Sequence, residues 1–207
     1  MRGSLVIVGF FVLGTVAGVS GIAPSWLADG GDISFWALCA LMFFVGLSVG
    51  GDTEVLRSIR RVNPRLMLLP LVTVAGTLGG VAVAGAFMPH RSLPECMAVG
   101  AGFGYYSLSS VLIADLKSAT LGVQGAAELA TVALLANVVR EMIALFGMPL
   151  FARWGGPLAP ISVSGVTSMD VCLPSIARYS GSDLVPLAIL HGIVLEVCVP
   201  ILVGAFC

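Results

Sequence analysis

Between Leu66 and Met88 the chain runs the full thickness of a bilayer without one charged residue. A helix needs about 20 apolar residues to cross the hydrocarbon core, so a run like this confines the chain to folds built in lipid. The pattern recurs. Apolar segments occupy residues 4–27, 34–51, 66–88, 96–114, 126–151, 161–176 and 184–206. Hydrophobic residues make up 58% of the 207, and charged residues 10%, where soluble domains carry roughly 25% charge. So few charges could not cover that apolar content in water. The expected fold is an all-α integral membrane protein of about seven segments, forming a single transport domain over residues 1–207.

Several function classes fall away. The net charge is −1, with no basic surplus to hold nucleic-acid phosphates. No nucleotide-binding loop, zinc-ligand spacing or nucleophile motif is present, so neither an enzyme, a metal site nor a cofactor is expected. Cys39, Cys96, Cys172, Cys198 and Cys207 are odd in number and scattered through apolar runs. They read as small packing residues, not as a disulfide framework. The loops are too short for an ATPase. Active transport would run on an ion gradient or through another subunit.

The first segment follows Met1-Arg2 but is longer than a signal-peptide core, and reads as a retained helix. Arg57, Arg60, Arg61 and Arg65 crowd the loop after the second segment, which the positive-inside rule makes cytoplasmic. The N-terminus is then cytoplasmic, the Asp29-Gly30-Gly31-Asp32 turn external, and the C-terminus periplasmic. The fourth and sixth segments can both cross, with Lys117 and Arg178 inside. Alternatively both re-enter, with Arg153 and Arg178 inside and Arg91 and Lys117 outside. The charge balance is the same either way.

Those two segments are interrupted. The fourth reads Gly100-Ala101-Gly102-Phe103-Gly104-Tyr105-Tyr106-Ser107-Leu108-Ser109-Ser110, and the sixth Ser164-Gly165-Val166-Thr167-Ser168-Met169-Asp170-Val171-Cys172-Leu173-Pro174. Non-helical backbone survives at membrane depth only inside protein or along a wet cavity. Paired Gly/Pro-interrupted segments point to a midplane transport site. Small residues also serve tight helix packing, and Gly100 with Gly104 fits that use. Packing does not require the carboxylate of Asp170.

Charges at bilayer depth cost at least ~2.5–3.5 kcal/mol each, which makes them functional candidates. They are Asp170, Arg140, Glu141, His191 and Glu196; Glu128 lies near a segment end and reads as interfacial. Asn137, Arg140 and Glu141 stand at i, i+3 and i+4, on one helix face. Arg140 and Glu141 are adjacent, so each needs a partner on another element, a buried structural ion pair included. A carboxylate such as Asp170 can exchange a proton with a cationic substrate. His191 suits a proton relay or an ordinary helix-to-helix bond. No role is evident for Glu196.

The motifs resemble a known family. Gly102-Phe103-Gly104-Tyr105-Tyr106-Ser107-Leu108-Ser109 resembles the GFGWYSLS element of the LysO-type bacterial lysine exporters. Asn137-x-x-Arg140-Glu141 matches their N-x-x-R-E element, and Gly165-Val166-Thr167-Ser168-Met169-Asp170-x-x-Leu173-Pro174 their G-A-T-S-M-D-x-x-L-P element. Pro186-x-Ala188-Ile189-x-His191-Gly192 with Val199-Pro200 resembles their final helix, and Phe44-Val45-Gly46-Leu47 an earlier one. The resemblance implies an inner-membrane exporter of L-lysine or a close basic analogue, exchanging it for protons, with Asp170 as the central acid. Asp170 and Glu141 would meet the substrate cation, and Arg140 or a half-helix N-terminus its carboxylate. Asn137 joins that group, and Tyr106, Ser107, Ser109, Ser110, Thr167, Ser168 and His191 would line the path. Longer relatives carry a further N-terminal part, so a homodimer or a small membrane partner chain is expected. The extra carboxylate Glu196 departs from the family pattern, which keeps open an antiporter for another amino acid or cation. One subunit of a two-chain exporter is a further alternative.

Overall fold

The computed structural model describes Asn63, residues 65–207 and isolated positions between 13 and 43. The chain divides into two units, Met1–Phe44 and Val45–Cys207. In the first, the isolated described positions are helical apart from the turn residue Ser20. Otherwise the expected segments at 4–27 and 34–51, the basic residues Arg57, Arg60 and Arg61, and the Phe44-Val45-Gly46-Leu47 motif lie outside the described residues.

In the second unit the described residues are helical, with no strand among them. A 3-10 turn at Leu66–Leu68 leads into α1 (Leu69–Ala86), followed by α2 (Leu93–Gly100) and α3 (Tyr106–Gly155). Then come α4 (Ala159–Ser164), a 3-10 turn at Gly165–Met169, α5 (Leu173–Ser180), another at Ser182–Leu184, and α6 (Val185–Phe206). α3 is two helices in one. Gly122, at φ 70° and ψ 167°, divides it into an N-terminal arm (106–121) and a C-terminal arm (123–155). Three stretches, Leu66–Ala86, Tyr106–Gly155 and Ser182–Phe206, are long and apolar enough to cross a bilayer. The protein is an all-α membrane protein.

Proline marks the helix starts. Pro70, Pro94, Pro160, Pro174 and Pro186 each sit in the first turn of α1, α2, α4, α5 and α6, where a missing N–H costs nothing and φ is already helical. Ser92 caps α2 by accepting the Glu95 N–H. Along the C-terminal arm the buried positions Ala126, Leu129, Ala133, Asn137, Glu141, Ala144 and Met148 form one stripe at helical spacing. Val132, Leu135, Val139, Ile143 and Phe146 on the other side are exposed. An apolar face turned outward suits lipid, so packing energy concentrates on the inner stripe.

Both interrupted segments are hairpins. Ile161 of α4 and Ile176 of α5 belong to one buried cluster with Met148 and Leu187, packed against Leu66, Leu69, Leu158 and Leu184. α5 therefore returns to the end of the bundle from which α4 sets out, the end where α1 and α6 begin. The other hairpin stands at the opposite end. Arg91 lies 3.9 Å from Glu95 and 3.7 Å from Glu128, which puts the foot of α2 beside the start of the C-terminal arm. Gly85, at the end of α1, faces Leu93 and Cys96. The N-terminal arm runs back to this same end, where Lys117 is buried within electrostatic reach of Cys207.

The elements outrun the expected apolar segments. The fourth, expected at 96–114, begins at Leu93 and its second arm continues to 121; the fifth, expected at 126–151, spans 123–155; the sixth, expected at 161–176, spans Ala159 to Ser180. The caps that stop these helices are Ser92, Gly122, Gly156 and Gly181, and they lie beyond the apolar runs. Helical hydrogen bonding continues through polar residues until a cap ends it, so hydropathy alone undershoots.

The hairpin tips meet. The Val166 N–H donates to the Phe103 carbonyl at 3.0 Å. Gly165 makes the approach possible, because a Cβ there would run into that same carbonyl, and its φ of 64° is left-handed. Phe103 itself holds φ 45°, a conformation that non-glycine residues adopt at a cost of ~1–3 kcal/mol. Gly165→Ala should therefore part the tips and destabilise the fold by ~1–3 kcal/mol. Thermal denaturation in detergent, compared with Gly204→Ala where a Cβ meets nothing within 4 Å, measures the difference.

Candidate functional site

The α3 C-terminal arm carries the groups that hold the two tips. Asn137 is 3% exposed. Its Oδ1 accepts the Gly104 N–H at 2.7 Å, and its Nδ2 donates to the Ala133 carbonyl at 2.8 Å, with longer contacts to Val99 O and Ser109 Oγ. Gly102 has to be glycine here, since a Cβ would collide with the Asn137 amide. Asn137 was expected among the substrate groups; it serves to satisfy the backbone of the first tip.

Arg140 does the same for the second hairpin. Its Nε donates to the Val163 carbonyl at 3.2 Å and an Nη to Ser162 O at 3.4 Å. These are the last carbonyls of α4, where a cation complements the helix dipole. The guanidinium also lies 5.8 Å from the centre of the Phe103 ring, within cation–π range. Arg140 thus ties α4 to the first tip. Neither Glu141 nor an open substrate position is its partner in these bonds.

Three carboxylates lie near the residues that follow the tips. Asp170 ends the 3-10 turn at Gly165–Met169, at φ −133° and ψ −88°, and its Oδ1 accepts the Val171 N–H at 2.5 Å. Asp170 is exposed, just after the buried residues of the second tip. The buried acids are Glu141 and Glu196, at 3% and 4% exposure. Glu196 lies within hydrogen-bonding reach of Tyr105 and within electrostatic reach of Asp170. Tyr106 lies within electrostatic reach of both Glu141 and Asp170, and Cys172 of the same two. Asp170, Glu141 and Glu196 thus come together from three elements around Tyr105 and Tyr106.

The expected path hydroxyls divide. Thr167 and Ser168 are buried in the second tip; Thr167 Oγ donates to Ser164 O at 2.9 Å and Ser168 Oγ to Ala188 O at 2.8 Å. Ser109 and Ser110 are buried and turned back on Tyr106 O and Ser107 O of their own helix, while Ser107 is exposed. His191 is fully buried, with Nδ1 3.2 Å from Ser168 Oγ and Nε2 3.0 Å from Thr73 Oγ.

Tyr105, Thr73 and Phe103 escaped the sequence reading as site residues. Tyr105 stands in the Gly-rich stretch and was open to notice. Thr73 is one hydroxyl in a long apolar run, and only the contact with α6 gives it meaning. Among the described residues no group of three or more His, Cys, Asp or Glu could hold a metal ion. The arrangement offers carboxylates and hydroxyls at a junction of broken helices, and Arg140 bonds the carbonyls of α4. Such a site can bind and release a cation.

Comparison with known proteins agrees. The family described as Lysine exporter LysO matches residues 8–207. The chain is 33% identical over 203 residues to Lysine exporter LysO of Escherichia coli (strain K12), an alignment covering 98% of this chain and 64% of the relative. It is 30% identical over 195 residues to a Haemophilus influenzae relative, covering 94% of this chain and 93% of the other. The chain thus spans just under two thirds of the E. coli protein's length. No solved structure matches. On these matches the chain belongs to the lysine exporter LysO family.

Proposed function

We propose that this protein is a secondary transporter of the bacterial inner membrane that exports L-lysine, or a close basic analogue, in exchange for protons. The observation that carries the reading is the meeting of two broken hairpins from opposite ends, ringed by Asp170, Glu141 and Glu196. The E. coli relative is named a lysine exporter, and lysine brings the side-chain ammonium such a junction suits.

In this mechanism Asp170 alternates between a protonated state and an ionised state that binds the ammonium. Its exposed place at the tip gives substrate and proton access to the same oxygen atoms. Because both compete for one carboxylate, one species leaves as the other arrives, and no nucleotide is needed. Glu141 supplies further negative charge from α3. Thr167, Ser168 and Tyr106 line the way, and Asn137 and Arg140 keep the tips in shape. The substrate carboxylate then looks to the backbone N–H groups of the tips, since Arg140 is committed to α4. A homodimer or a small membrane partner would cover the exposed apolar faces of α1 and α3.

Asp170→Asn keeps the shape and removes the titratable group. It should abolish pH-driven lysine export from liposomes while the protein inserts normally, and Asp170→Glu should keep part of the activity with a shifted pH profile. Unchanged export and pH dependence in Asp170→Asn would move the coupling acid to Glu141 or Glu196.

The two hairpins support the re-entrant topology. Each goes in and out at one end, so both re-enter, with Arg153 and Arg178 on the cytoplasmic side, Arg91 and Lys117 on the other, and the C-terminus periplasmic. In a cysteine-free background, an impermeant thiol reagent applied to intact cells should label a cysteine at position 91 and leave positions 153 and 178 untouched. Labelling at 153 with none at 91 reverses the orientation.

A further inference from the structure

Glu196 is an acid buried on α6, and the face of α6 that carries it meets both tips. Ala188, Gly192 and Glu196 stand at i, i+4 and i+8, on one side of that helix. The first two meet the second tip. The Ala188 carbonyl accepts from Ser168 Oγ at 2.8 Å. Gly192 lies so close to the Met169 side chain and the Val166 carbonyl that a Cβ there would collide with both. One turn further on, the same face presents Glu196, 4% exposed, within hydrogen-bonding reach of Tyr105 from the first tip. α6 thus seats on one tip and reaches the other through a single carboxylate. Tyr105 is the residue at which the first tip ends and α3 starts, and its N–H donates to the Gly102 carbonyl at 2.7 Å.

We propose that Glu196 is a positioning residue of the exchange site: it holds Tyr105 at the first tip, and its charge sets the pH at which Asp170 trades a proton for the substrate cation. A tyrosine hydroxyl donates to a carboxylate, and that bond favours the ionised acid. Asp170 stands within electrostatic reach of both Glu196 and Tyr105. Two like charges resist ionising together, and both attract a cation. An ionised Glu196 therefore strengthens the hold of the site on a proton and on an ammonium alike. Other charged groups stand on the elements packed against α6. Arg140 of α3 acts on His191, five residues before Glu196, and bonds the carbonyls of α4. Glu141 acts on Tyr106 and Cys172, and Lys117 on Cys207 at the end of α6. Glu95 of α2 pairs with Arg91, and Arg178 of α5 lies over the Tyr179 ring. Packing alone does not call for a carboxylate inside the bundle, where an apolar side chain of the same size costs less.

This inference rests on the proton-exchange reading, and the test keeps the two apart. The full chain is reconstituted in liposomes, and lysine–lysine counterflow is measured with equal pH on both sides. The pH runs from about 5 to about 7, below the range where lysine's ammonium groups titrate. Protons compete with lysine for Asp170, so the wild-type rate should rise with pH through a midpoint. Glu196→Gln keeps the size of the side chain and an acceptor for Tyr105, and removes the charge. Its midpoint should fall by about half a pH unit or more, and its KM for lysine should rise, while the maximal rate is retained. Tyr105→Phe should move the midpoint the same way, and Glu196→Asp should bring it back toward wild type. An unmoved midpoint in Glu196→Gln overturns the proposal, as does a rate cut equally at every pH, which marks a packing residue. Should Glu196→Gln fail to insert, Tyr105→Phe, which leaves α6 untouched, decides in the same way. In each of these cases, wild-type export under an imposed pH gradient that is lost in Asp170→Asn leaves the exchange reading standing. Wild-type counterflow that ignores pH removes the exchange reading and the proposal with it.

Discussion

Hydrocarbon offers no hydrogen-bond partner, so every backbone group freed by a broken helix must be satisfied from within the protein. The described structure is organised around that demand. Two helices break at depth, and each break supplies what the other lacks: Val166 gives its N–H to Phe103 O. Asn137 takes the Gly104 N–H, and Arg140 takes the last carbonyls of α4. The polar residues of the α3 C-terminal arm stand where they do because the tips cross that arm. The glycines at 102 and 165 follow from the same contact, each leaving room for an amide or a carbonyl.

This allocation of polar groups also bears on the electrostatics. Arg140 is engaged with the last carbonyls of α4 and with the Phe103 ring. Glu141 and Glu196 are buried, and Asp170 is exposed beside them. An accessible acid backed by buried ones suits a site that must release what it binds. A fully enclosed pair would hold its cation or proton at the cost of turnover.

Much of this was legible in the sequence, and the limits are physical. The long uncharged runs fixed an all-α membrane fold, because bilayer thickness leaves few alternatives. The two glycine-rich interruptions singled out the candidate site, and the motifs within them pointed to the family that the comparisons show. The spacing of Asn137, Arg140 and Glu141 put them on one face, and Asn137 and Glu141 are indeed buried there. What those residues touch was not legible. Arg140 was expected to need a partner on another element and has one, but helical spacing could not say that the partners are carbonyls of another hairpin. Hydropathy places Asp170 at a depth but says nothing of how much of its side chain the second tip covers. Thr73 and Glu196 acquire meaning only through contacts distant in sequence, and no local pattern carries those.

Hairpins that reach only partway from each end have an electrical consequence. On the re-entrant reading, water can approach the tips from both sides, and the insulating layer thins to little more than the two crossed strands of backbone. The membrane voltage then falls over that short distance instead of the ~30 Å of the full hydrocarbon core. A charge carried past the tips feels most of the field, worth ~2.3 kcal/mol per elementary charge at 100 mV. A displacement of a few ångströms at Asp170 would thus do nearly the electrical work of a complete crossing, and the cell's resting potential would act on the exchange without any large movement of the fold.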